Sequence, residues 1–136
     1  MTARSDPQSR VDWIVVAHGS RAGGTAADHE ALCRDLAARA AGDVGAVHPA
    51  FLEISHPSVP EAIDDAVAGG ARDIVVIPYF LHAGNHTQRD IPQLIDEARA
   101  RHPGVSMELT GHLGPRERMV DILADLGRST TRRRTS

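Results

Sequence analysis

Lysine is missing altogether: all fifteen basic residues of this 136-residue chain are arginine. With no lysine there is no Gly-x-x-x-x-Gly-Lys-Ser/Thr loop, so ATP binding by a P-loop is excluded. Cysteine is nearly as scarce. The single Cys33 cannot build a disulfide framework, a four-thiolate zinc centre or an iron–sulfur cluster. No window approaches the ~20 apolar residues of a membrane span, and Met1 to Arg10 lack the apolar core of a secretory signal. The expectation is a cytoplasmic protein with no membrane partner, no nucleotide and no Fe–S cofactor. A basic surface is missing too. Net charge is −3, and Arg132-Arg133-Arg134 supply three of the positive charges, so the remainder is more acidic still. That is no nucleic-acid footprint, and the arginine run reads as a solvated terminus.

What is present is ordinary in bulk and informative in order. Hydrophobic content of 41% and charge of 24% suit a globular domain, and the length fits one core. Apolar runs at 13–17, 46–52, 73–80 and 105–109 predict strands, the first and third apolar throughout, as a doubly covered parallel sheet requires. Helices are expected between them. One is capped by Thr25-Ala26-Ala27-Asp28, carries Leu32, Leu36 and Ala40 on one face and ends at Gly42. A second opens on the capping box Ser58-Val59-Pro60-Glu61 and closes at Gly69-Gly70. A third opens at Thr87 and shows the stripe Ile91, Leu94, Ile95 and Ala98. A fourth starts at Gly114-Pro115, with Met119, Val120, Ile122, Leu123 and Leu126 clustered before Gly127. The fold expected is α/β: a small doubly wound, mainly parallel four-stranded sheet flanked by helices. A single domain over 11–128 would sit between a disordered N-terminus, 1–10, and a disordered Arg-rich tail, 129–136.

In such a sheet, ligands bind where loops at the carboxyl ends of the strands converge. His18, His56, His82, His86 and His112 all follow strands and belong to that edge, whereas His29, His48 and His102 lie elsewhere. Glu53 ends the second apolar run at the same edge. Two imidazoles and a carboxylate suit a first-row divalent cation with open positions, and equally general acid–base work near neutrality. Each of the three alone reads as a polar loop residue or a strand-end charge; their convergence favours a site. His82 and His86 are spaced i, i+4, but Gly84-Asn85 between them argue for a loop. His56 and His112 are accessory candidates, with surface polarity as the alternative.

The run His18-Gly19-Ser20-Arg21 fails two tests. A histidine-phosphatase site wants Arg before His-Gly, and position 17 is Ala; a nucleophile elbow wants Gly two before the serine, and position 18 is His. A turn leading to a helix start remains, whose N–H groups, with Ser20 and Arg21, suit an anionic substituent.

At these residues the chain resembles the class II chelatases of modified tetrapyrroles, the sirohydrochlorin cobalt- and ferrochelatases of CbiX/SirB type. The resemblance runs through Val15-Val16-Ala17-His18-Gly19-Ser20-Arg21 and Ala50-Phe51-Leu52-Glu53-Ile54-Ser55-His56-Pro57-Ser58-Val59-Pro60-Glu61-Ala62. It is most specific over Ile77-Pro78-Tyr79-Phe80-Leu81-His82-Ala83-Gly84-Asn85-His86-Thr87-Gln88-Arg89-Asp90-Ile91-Pro92, with a fainter echo in Gly111-His112-Leu113-Gly114. It implies ATP-independent insertion of Co2+, Fe2+ or Ni2+, a metal that is substrate, into sirohydrochlorin or a related tetrapyrrole of cobalamin or siroheme biosynthesis. It further implies that His18 and His86 bind the metal, that Glu53 is ligand or proton acceptor, and that Ser20, Arg21, His82, Gly84 and Arg89 face the tetrapyrrole. Short members are similar to half of the longer ones and pair as homodimers. His82 departs from the pattern, since relatives often carry an aromatic or other non-ligating residue there. A non-catalytic metal- or tetrapyrrole-binding module is the alternative reading.

Overall fold

The structure, a computed structural model, describes residues 10–21, 23–82 and 84–135, and for residues 85–87 and 133–135 the backbone alone. Strands and helices alternate: β1 (Val11–Ala17), α1 (Thr25–Arg39), β2 (Val47–Phe51), α2 (Val59–Ala68), β3 (Asp73–Pro78), α3 (Asn85–Arg101), β4 (Ser106–Leu109) and α4 (Glu117–Thr135). The strands form one all-parallel sheet in the order β2-β1-β3-β4. The chain leaves β1 in one direction along the sheet and β3 in the other. The crevice outside their carboxyl ends is therefore the switch point where this architecture places ligands.

One face of the sheet carries the core. Ile14, Val16, Ile74, Val76 and Met107 pack there against Ile63 and Ala66 of α2 and Ile91, Ile95 and Ala98 of α3, all buried. The α3 stripe and the α2 capping box match the sequence expectation: the Ser58 hydroxyl accepts from the Glu61 N–H, and the Glu61 carboxylate accepts from the Ser58 N–H. On the opposite face α1 covers Val15 and Phe51.

Five expectations need correction. Helix α1 is capped by Gly24 with φ +87, and no side chain bonds its first turn, so Thr25 is the first helical residue and not a cap. Its inward face is His29 and Cys33, while Leu32 is exposed, because the helix rolls to set the ring of His29 on Phe51 and Tyr79. Helix α3 starts two residues early, at Asn85, after an extended Gly84. The apolar cluster of α4 is not buried: Val120, Ile122, Leu123 and Leu126 are exposed and the helix packs extensively on none of the other elements. That helix also continues through Gly127 to Thr135, over most of the segment expected to be a disordered tail. Residues 1–9 of the expected disordered N-terminus lie outside the described residues.

Candidate functional site

His18 is the first residue after β1 and Glu53 the second after β2, and backbone bonds hold the two strand ends together. The Leu52 N–H donates to the Ala17 carbonyl (3.0 Å) and the Glu53 N–H to the His18 carbonyl (3.1 Å). Gly19 makes this approach possible. It has φ +103, and a Cβ there would lie 1.8 Å from the Glu53 carbonyl oxygen, so only glycine fits. Ile54, next to Glu53, also has a positive φ of 71, a conformation costly for a β-branched residue and typical of functional loops.

The two side chains meet. His18 Nε2 lies 2.8 Å from Glu53 Oε1, and both groups are more than half exposed. A carboxylate can only accept, so an ionised Glu53 fixes the proton on Nε2 and leaves the lone pair on Nδ1. The edge of the His18 ring also meets Phe80 at 6.4 Å between centroids. The pair opens onto a cleft of about 310 Å³ whose far wall is Asp90, Gln93, Leu94 and Glu97 of α3. Those α3 residues escaped notice in the sequence. The polar set 90, 93 and 97 runs beside the apolar stripe at i, i+3, i+7 and was legible as a helix face, but not as one turned towards β1.

The remaining candidates separate. His86 is the second residue of α3, so its backbone is helical where a loop was expected; its side chain lies outside the described residues. Among the described residues no group of three His, Cys, Asp or Glu side chains is placed to hold a metal. His82 is exposed on the loop after β3, Arg21 and Arg89 are exposed, Ser20 is half-buried, and Gly84 is the N-cap of α3. His112 is half-buried and lines a separate apolar hollow of about 190 Å³ with Pro78, Phe80 and Ile91. His56 is engaged elsewhere: its Nδ1 lies 2.8 Å from Glu61 Oε1. With the Ser58 N–H as the main cause and His56 next, Glu61 is held down at about 2. Cys33 is buried in α1, and desolvation pushes its thiol up to about 11, so it is no thiolate at neutral pH.

The other histidines have structural partners. His48, inside β2, lies 2.8 Å from the fully buried carboxylate of Asp12. His102 caps α3 and lies 2.7 Å from Asp64. His29, an unforeseen core residue, donates from Nε2 to the Val15 carbonyl at 2.9 Å.

Comparison with known proteins points to one family. The sequence model of the CbiX family matches residues 12–130. The chain is 36% identical over 113 residues to the sirohydrochlorin cobaltochelatase of Priestia megaterium, covering 81% of this chain and 35% of that protein. It is 38% identical over 79 residues to the chloroplastic sirohydrochlorin ferrochelatase of Arabidopsis thaliana, covering 58% of this chain and 35% of that one. It thus spans about a third of the length of these relatives. A solved structure of a cobalamin biosynthesis CbiX protein from Marinobacter aquaeolei superposes with a TM-score of 0.76 at 26% identity, over 94% of this chain and 100% of that one. The family-model match over most of the chain and the superposition on a CbiX protein lead to one conclusion: this chain belongs to the CbiX family.

Proposed function

We propose that this chain inserts a divalent metal, Co2+, Fe2+ or Ni2+, into sirohydrochlorin or a related tetrapyrrole, without nucleotide. The observation that carries the reading is the exposed His18–Glu53 pair at the carboxyl edge of a CbiX-family fold, with relatives named for cobalt and iron chelation.

Metalation exchanges two pyrrole N–H protons for a dication, so the site needs ligands that release a metal and an anion that takes up protons. Imidazole and carboxylate meet the first demand where thiolates would not. In the pair, Glu53 orients the His18 ring and makes its Nδ1 a better donor. As the metal passes to the macrocycle, the same carboxylate takes one pyrrole proton and solvent takes the other. His86, one residue into α3, is the second imidazole of this reading. Asp90 and Glu97 add negative potential across the cleft. The exposed Ile54 and Leu81 offer apolar contact to a macrocycle, and Arg21 and Arg89 suit its carboxylates. The cleft is smaller than a tetrapyrrole and open on one side. That supports a homodimer in which a second copy closes the site.

Visible spectra of sirohydrochlorin mixed anaerobically with the protein and each metal in turn test the reading. Enzyme-dependent metalation is expected, and its absence with all three metals overturns it. The alternative is a non-catalytic metal- or tetrapyrrole-binding module. Metal-dependent binding of the tetrapyrrole without metalation decides for it.

A further inference from the structure

Two apolar surfaces of this chain lack a cover among the described residues, and each fits the other. The first is on α4, where Met119, Leu123 and Leu126 recur at i, i+4, i+7, and Val120 and Ile122 widen the stripe. All but Met119 are exposed. The second is the part of the sheet face that α1 leaves open. There Val11, Trp13 and Val75 floor a hollow of about 460 Å³, rimmed by Asp43, Asp73 and Glu108.

Length and charge both match. Nineteen helical residues span about 28 Å, and the seven of β1 about 23 Å, so α4 reaches from one edge of the sheet to the other. The helix is polarised: Glu117, Asp121 and Asp125 lie in its first half, and Arg128, Arg132, Arg133 and Arg134 in its second. Because α4 starts at the carboxyl edge, laying it antiparallel to the strands brings its arginine end to the amino edge. Asp43 and Asp73 lie at that edge, just before β2 and at the start of β3. Its own sheet is not the partner in this structure, and the connection from β4 accounts for that. Gly114 is clasped to the loop after β3: its N–H donates to the Phe80 carbonyl at 3.1 Å, and a Cβ there would lie 1.6 Å from the Leu81 carbonyl oxygen. The connection is thus anchored at the carboxyl edge, and α4 packs extensively on no strand of its own sheet.

The geometry points to a reciprocal exchange: α4 of each copy covers the open Trp13–Val75 face of a second copy, arginines against the acidic rim. This rests on the two-copy reading proposed above and names the element that makes the pair. It also assigns the arginine-rich end a docking role that a solvated tail lacks.

The test uses the full chain with Cys33→Ala, Val75→Cys and Leu123→Cys, oxidised mildly and run without reductant, beside light scattering of the wild type. Exchange predicts a wild-type mass of twice 14.6 kDa and a disulfide-linked dimer. A disulfide within one chain, or none, in a protein that still has the dimer mass overturns the exchange while the two-copy reading stands. A wild-type mass of 14.6 kDa overturns both. Asp73→Arg with Glu108→Arg reports independently, without touching the apolar contact. Exchange predicts a dimer dissociation constant raised at least tenfold at low salt, with the difference shrinking at high salt; an unchanged constant overturns the charge pairing that carries the inference.

Discussion

The two ends of the sheet use the same residue types in opposite ways. At the amino edge the charges are satisfied by one another. Asp12, fully buried, accepts from Arg10 Nε (2.8 Å) and Nη2 (3.0 Å), from the Ala46 N–H (3.1 Å), and lies 2.8 Å from His48 Nε2. At the carboxyl edge His18 and Glu53 make one hydrogen bond to each other and are more than half exposed. Histidine and carboxylate in contact thus mean architecture at one edge and available lone pairs at the other. Burial and the number of partners distinguish them, not residue identity.

Substitutions at both edges sharpen that contrast. The largest effect is expected at Asp12→Ala, which strands Arg10 and His48 without their shared anion. It should cost about 3–5 kcal/mol of unfolding free energy in a denaturant titration, with metalation per folded molecule unchanged. His18→Ala should behave in reverse. Metalation should drop about 100-fold, roughly 2.7 kcal/mol of transition-state stabilisation, with stability within about 0.5 kcal/mol of wild type because the ring is exposed. The same rate loss is expected for His86→Ala. Wild-type turnover in a folded His18→Ala, His86→Ala double variant would break the contrast outright.

Glu53→Gln keeps the shape and removes the charge. About a tenfold fall in turnover with little change in tetrapyrrole binding is expected, read from the separate effects on kcat and KM. Acid provides a smaller test, at the capping box that opens α2. Glu61 is held at about 2 when folded, below the ~4.3 of an unfolded glutamate. Its contribution is therefore fully present above about pH 4.3 and lost as pH falls towards about 2. Stability of Glu61→Gln should decline less steeply than wild type across that window. The smallest effect is expected for His82→Phe, a change in the ratio of Co2+ to Ni2+ insertion rates; an unchanged ratio would show that this exposed imidazole has no bearing on metal choice.

Much of the architecture was legible because it rests on local chemistry. The alternation of apolar runs with capping and glycine signals set the element order, and the Ser58–Glu61 capping box needs only residues three apart. The position of His18 and Glu53 at one edge follows from each ending a parallel strand. Side-chain identity alone did not reveal which faces are covered. Leu32 and His29 lie three apart on α1, and only the fit against Phe51 and Tyr79 decides that the histidine goes inside.

By itself, then, the sequence determined the βα order, the parallel sheet and the arrival of an imidazole and a carboxylate at a common edge, because hydrophobic period and turn chemistry act over a few residues. Tertiary structure alone decided that Gly19 brings His18 within 2.8 Å of Glu53, that α3 supplies the opposite wall of the cleft, and that the apolar stripe of α4 stands uncovered. Each of these depends on where separate elements meet, and the physical reason is that periodicity tells a helix which face is apolar but not which neighbour will bury it.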